Sequence, residues 1–228
     1  MASVLQKRKK QTIIIEQSPI DIPSEFDVEV SERSISVIDA SPIGFFGLAV
    51  GAAILAASYL ESSTTPRFYA VSWFMFLSGL AQISSGILSI FRRAVFKPTL
   101  FIATGAFFLA VGWLYYKKDL AVTTTEETEH LGGLAGAFAL FTIALFLVSL
   151  YVNKALPVLL LGLIVGFASL FAKAYFDAPK IIIAAGFSLA SAGSFYHTFA
   201  SWTNSFSGKP ALPLGSAPFS KDRVQERN

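Results

Sequence analysis

The sequence predicts an all-α integral membrane protein with six transmembrane helices in one bundle. Three observations carry that expectation. The first is charge segregation. The 228 residues include 18 Lys+Arg and 15 Asp+Glu, yet one charged side chain, Lys173, falls inside the six long apolar stretches. A soluble fold needs charge on the outer face of nearly every helix and strand. The second is length. Residues 43–60, 68–91, 98–116, 131–152, 155–176 and 181–202 are uninterrupted apolar runs. Each meets the roughly 18-residue requirement for crossing about 30 Å of hydrocarbon. The third is the shortness of the connections, which favours antiparallel neighbours in a single bundle.

The elements follow in chain order. Residues 1–42 form a polar N-terminal tail with seven acids and three prolines, expected to be mostly disordered. The membrane domain occupies 43–204. Its first span carries Gly47 and Gly51, its fourth Gly132 and Gly136, and its fifth Gly162 and Gly166. Glycines four apart let helix backbones approach closely, and in lipid such packing replaces the missing hydrophobic drive for association. The pairs are expected to serve tight packing within the bundle, with contact between subunits as the other reading. Residues 205–228 form a polar C-terminal tail, disordered beyond Pro218.

Polar side chains inside lipid are costly and face the protein interior or water, so they are the first functional candidates. Gln82 lies mid-span in the second stretch, Thr104 precedes Gly105 in the third, and Thr142 lies in the fourth. Tyr196, His197 and Thr198 cluster late in the sixth, with Asn204 just past its end. Lys173 sits three residues from a span end and is read as snorkelling to the headgroups. None of the spans contains Asp or Glu, so no buried carboxylate relays protons and no acidic ring selects cations.

Several function classes fall away. With 0 Cys there is no disulfide scaffold, thiolate metal site or cysteine nucleophile. The basic residues are few and scattered, so nucleic acid is not an expected partner. The 2 His, His130 in an acidic loop and His197, make no metal box. A Gly-x-Ser-x-Gly elbow and a phosphate-binding Gly-x-x-x-x-Gly-Lys loop are both missing. No catalytic residue, metal or cofactor is therefore expected. The run Ile13–Ile15 behind Lys7–Lys10 is too short for a signal peptide. Thirteen Lys and Arg lie on the side of the termini against four on the other, which predicts cytoplasmic termini. What remains is an uncharged pore that small solutes cross by shedding water cheaply, closed by apolar side chains. Channel or transporter is as far as that physics reaches.

The motifs add a resemblance. Asp39-Ala-Ser-Pro-Ile-Gly-Phe-Phe-Gly-Leu48 resembles the Asn-Pro-Ala-Pro-Leu-Gly signature of the acetate uptake transporter (AceTr) family. That family includes bacterial succinate–acetate permeases and yeast acetate/ammonia transport proteins. Gly79-Leu80-Ala81-Gln82 followed by Gly86 resembles the family's second-span motif, and Asn204 with Leu212-Pro213-Leu214-Gly215 its closing motif. The resemblance covers about residues 39–215.

It implies a homo-hexamer in the lipid bilayer, each protomer carrying its own path for acetate, related short monocarboxylates or succinate. It also implies a narrow constriction of Phe, Tyr and Leu, which falls here on Leu48, Thr104 and Leu163. Thr104 is smaller than Tyr and adds a hydroxyl, predicting a wider and wetter gate. Gln82, Tyr196, His197 and Asn204 are expected as polar partners along the path. In the signature, Asp39, Pro42 and Gly44 hold the opening of the first span. Asp39 either caps that helix, with Pro42 in its first turn, or places an anion-repelling charge at the mouth. His197 stands where the family has an apolar residue, and Ser201 where bacterial members have Glu. Two alternatives stay open: transport of ammonia/ammonium or another small solute, and a structural or sensory protein that kept the fold without transporting. The plasma membrane is the expected location, with an organelle membrane as the alternative.

Overall fold

The computed structural model of the chain describes residues 39–60, 68–91, 95–119 and 125–219. Of the stretches expected to be disordered, 1–42 and those beyond Pro218, residues 1–38 and 220–228 lie outside that set. Six helices follow one another: α1 Ser41–Leu60, α2 Phe68–Ile90, α3 Phe96–Asp119, α4 Thr125–Ser149, α5 Ala155–Phe176 and α6 Lys180–Ser207. All six are long and apolar enough to cross a membrane. The described residues contain no strand. The predicted fold class is the one found.

Boundaries differ where hydropathy stops but hydrogen bonding continues. Helix α4 begins six residues before the predicted span, so His130 is helical and not in a loop. The 28 residues of α6 extend to Ser207. At 1.5 Å per residue they span about 42 Å, well beyond a hydrocarbon core of about 30 Å. An apolar run measures the hydrocarbon; a helix ends where its backbone partners end. At α5 that start is defined by Asn153, whose side-chain oxygen accepts from the backbone N–H groups of Ala155 at 3.0 Å and Leu156 at 2.9 Å. Its end is set by Asp177 in the left-handed region at φ 52°, whose N–H reaches the Ala172 carbonyl. Lys173 pairs with the Asp177 carboxylate and holds that carboxyl below its usual range. The cation thus leaves the apolar face at the helix end, as expected for snorkelling.

Each helix packs mainly on its neighbours in the order α3, α2, α1, α6, α5, α4, with lighter contacts from α3 to α1 and α4. Aromatic rings fill the middle. Phe107 of α3 lies 4.7 Å from Phe167 of α5 and 5.1 Å from Phe138 of α4, and Phe167 lies 5.5 Å from Phe187 of α6. The outward faces are apolar too: Leu77, Leu80, Leu140 and Phe176 are all more than half exposed. In water such a surface would drive aggregation; in a bilayer it is solvated.

The spaced glycines all work inside this protomer. Gly47 and Gly51 face Ser78 of α2, Gly132 and Gly136 face Ala174 and Phe171 of α5, and Gly162 and Gly166 face α6. At the crossing of α5 and α6 backbone meets backbone: a Cβ on Gly186 would stand 2.4 Å from the Gly166 nitrogen.

Beyond α6 the chain turns back at Gly208, φ 64°. Leu212 is held by both halves of the Asn204 amide: its N–H donates to the amide oxygen at 2.8 Å and its carbonyl accepts from Nδ2 at 3.0 Å. Leu214 then accepts from the Ala155 N–H at 3.3 Å, and Phe219 donates to the Leu150 carbonyl at 3.3 Å. The segment therefore ties the ends of α4, α5 and α6 together.

Two outcomes test this packing. Gly186→Ala should lower unfolding stability by about 1–3 kcal/mol. Gly133→Ala, whose added Cβ would meet only the Tyr175 hydroxyl at 3.3 Å, should stay close to the parent in a thermal melt in detergent. Asn204→Ala should free the terminal segment and speed proteolytic cleavage between residues 208 and 219, with the membrane core left intact.

Candidate functional site

A polar stripe on α2 organises the interior. Ser78, Gln82, Ser85 and Ser89 recur at helical spacing and are all buried. The Ser78 hydroxyl donates to the Gly47 carbonyl of α1 at 2.7 Å, and Ser85 to the Ala40 carbonyl at 2.7 Å. Gln82 spans two helices. Its Nε2 donates to the Ser78 hydroxyl at 3.1 Å and carbonyl at 3.3 Å, and its Oε1 faces the Thr104 hydroxyl of α3 at 2.5 Å. Thr104 has the Leu100 carbonyl as a second acceptor at 2.7 Å.

Gln82 also sits between two glycines: Cβ atoms placed on Gly47 and Gly105 would each come within 3.1 Å of its side chain. That fixes Leu48, Gln82 and Thr104 at one depth. Leu163 reaches the same depth through α6. Ser191 donates to the Ala49 carbonyl of α1 at 2.9 Å, while the adjacent Ala190 backbone packs against Gly162. Leu48, Thr104 and Leu163 each have 0% exposure, so all three lie in the interior of the bundle. The Thr104 hydroxyl, read from the sequence as a wetting group, is engaged by the Gln82 oxygen and the Leu100 carbonyl. A groove of about 400 Å³ opens instead at the side, between α1 and α6, lined by Ala53, Ala57, Ser188 and Ala192 among others.

The signature residues stand two turns toward the N-terminal end of α1. Asp39 accepts from the Ser41 N–H at 3.1 Å and hydroxyl at 2.5 Å, and pairs with Lys97 of α3 at 3.5 Å. It braces the helix start, and Lys97 offsets the charge that the sequence alone would leave facing an anion. Pro42 is buried in the first turn, where its missing N–H leaves no bond unmade. Gly44 allows α1 to meet α2 and α3: a Cβ there would lie 2.6 Å from the Phe101 ring and from the Ser85 hydroxyl.

The late α6 residues separate. Tyr196 is 39% exposed and its hydroxyl donates to the Pro213 carbonyl at 2.5 Å. Asn204 is engaged by Leu212, as described above. His197 alone of the three turns inward, 2% exposed, stacked on Phe45 at 4.6 Å. Thr198 and Thr142 return their hydroxyls to carbonyls one turn back on their own helices. Among the described residues no group of three or more His, Cys, Asp or Glu is placed to hold a metal.

Sequence reasoning singled out Gln82 but passed over its serine neighbours. Their spacing of three and four was a readable signal, since four polar positions on one face of an apolar helix predict a polar seam. The partner carbonyls on α1 left no such signal.

Against known proteins, residues 25–216 match the profile of the GPR1/FUN34/yaaH family. The succinate-acetate/proton symporter SatP of Escherichia coli K12 is 27% identical over 145 residues, 63% of this chain and 77% of its own. The same figures hold for the protein of that name from Shigella flexneri. Among solved structures, the bacterial acetate channel SatP superposes with a TM-score of 0.70 at 24% identity, covering 78% of this chain and 99% of its own.

Thr104→Val should leave the Gln82 oxygen unpartnered and cost about 1–3 kcal/mol in unfolding stability. Thr104→Ser, which keeps the hydroxyl, should recover most of that loss in the same melt.

Proposed function

This chain belongs to the GPR1/FUN34/yaaH family, and on that premise we propose that it conducts acetate and related small carboxylates across a membrane. The path runs through each protomer and closes at Leu48, Thr104 and Leu163. The observation that carries the reading is the fully buried, uncharged layer these three residues share with the Gln82 amide. Apolar bulk on α1 and α5 keeps water out when the layer is shut. The amide and hydroxyl of Gln82 and Thr104 supply hydrogen bonds to a carboxyl group once their mutual bond opens. The spans hold no fixed acid, so a permeating anion meets no like charge in the membrane and no deep trap of opposite sign.

The same premise supports an integral membrane protein that catalyses no bond-making, assembles as a homo-hexamer, and lies in the plasma membrane with both termini in the cytoplasm. Six spans put the two chain ends on one side, and the Lys and Arg excess on that side supports the orientation.

Reconstituted into proteoliposomes, the protein should take up labelled acetate above empty vesicles, and short monocarboxylates should compete. Folded protein without such flux would overturn the assignment and favour a structural role; competition by ammonium alone would redirect it to that cargo. Thr104→Tyr narrows the layer and should reduce succinate flux relative to acetate by roughly tenfold or more. Unchanged selectivity would remove Thr104 from the constriction.

A further inference from the structure

We propose that His197 is the group that binds the carboxyl of the permeant, one helical turn from the constriction on the side of Asp39 and Lys97. The inference rests on the carboxylate reading above and adds to it a binding site in the layer next to the constriction.

His197 Nε2 is a buried side-chain nitrogen without a hydrogen-bond partner. The buried Ser78, Gln82, Ser85, Ser89, Thr104 and Ser191 all have partners within the protein. Leaving such an atom unpaired is costly, more so in an apolar bundle, and a ligand that pairs it recovers that cost. The ring is also held in place. Phe45 of α1 stacks on it with centroids 4.6 Å apart and planes 20° from parallel. Phe45 in turn takes the Phe101 ring of α3 edge-on at 4.9 Å. The Ala155 backbone, at the start of α5, is a hydrogen-bonding neighbour of the imidazole.

The position is as telling as the free nitrogen. Phe45 and Phe101 each precede a constriction residue, Leu48 and Thr104, by three positions, so they lie on the same helix faces about 5 Å away. His197, Phe45 and Phe101 therefore make the next layer along the bundle, with α1, α3 and α6 contributing one ring each. Charged groups beyond it, among the described residues, include Lys97, which acts electrostatically on the imidazole, and Asp39, its ion-pair partner.

The chemistry of this layer fits a short carboxylic acid in either protonation state. With the ring proton on the other nitrogen, Nε2 accepts from a carboxylic O–H; in the alternative neutral tautomer Nε2 carries the proton and donates to a carboxylate, giving up the ring's bond to the Ala155 backbone. The Phe45 and Phe101 side chains give the layer apolar walls for the methyl or short alkyl part. A larger polar solute finds one hydrogen-bonding atom and two aromatic walls.

Because the chain has 2 His, the test is clean. In detergent-solubilised full-length protein with ¹³C-labelled histidine, acetate should shift the His197 ring signal and leave that of His130 unmoved. The signals are assigned with His130→Gln. Acetamide, which has no carboxyl, should leave both in place at equal concentration. In proteoliposomes His197→Phe, which keeps an aromatic ring against Phe45, should raise the KM for acetate roughly tenfold. His197→Gln, which restores a donor and acceptor, should recover most of the affinity. A His197 signal that ignores acetate, or a His197→Phe protein with the parent KM, would overturn the proposal. The two readings fail separately. Absent flux in the parent protein, with a His197 shift still produced by acetate, rejects transport while supporting the binding site.

Discussion

Inside hydrocarbon a backbone carbonyl or a hydroxyl has no water to turn to, and this constraint shapes the bundle more than any other. Its clearest expression is the attachment of α1. Three serine hydroxyls, Ser85 and Ser78 from α2 and Ser191 from α6, donate to the carbonyls of Ala40, Gly47 and Ala49. Each is worth only about 1 kcal/mol in a membrane. Together they set the rotation and depth of α1 between its two main neighbours. The constriction inherits its geometry from that placement, since Leu48 sits between two of the three attachment points.

Packing completes what the hydrogen bonds begin. With no hydrophobic drive to bring helices together in lipid, close contact itself must supply the attraction. Two means of contact operate. Where small residues meet, as at Gly162, Gly166 and Gly186, backbones touch and α5 locks on α6. Where α3, α4 and α5 would leave a gap, Phe107, Phe138 and Phe167 fill it with rings in edge-on and tilted contact. The first makes one half of the bundle stiff; the second closes the centre with side chains that can rotate without breaking a backbone bond.

These choices bear on transport. On the proposed reading, a gate of Leu48, Leu163 and the Thr104 hydroxyl shared with Gln82 would open by side-chain rearrangement, at the cost of one hydrogen bond and some apolar contact. Charge is kept at the ends: Asp39 with Lys97 at one and Lys173 with Asp177 at the other. The C-terminal segment, fastened through Asn204 and Tyr196, braces the end where α5 begins and α6 finishes, with the free Nε2 of His197 a few residues inward.

Span number and the family were legible in the residues alone, because charge exclusion and motif spacing are local properties of a chain in lipid. The α2 seam was legible in part, through Gln82. What three dimensions decided were the partnerships. Whether Asp39 repels an anion or is neutralised depends on Lys97, more than fifty positions away in the chain. Of the adjacent Tyr196 and His197, one faces the terminal segment and the other an aromatic layer, because helical rotation turns neighbours through about 100° and only the packed surroundings say which direction is inside. Apolar content tells a helix that it belongs in a membrane; it takes the neighbouring helices to tell each polar atom where its partner is.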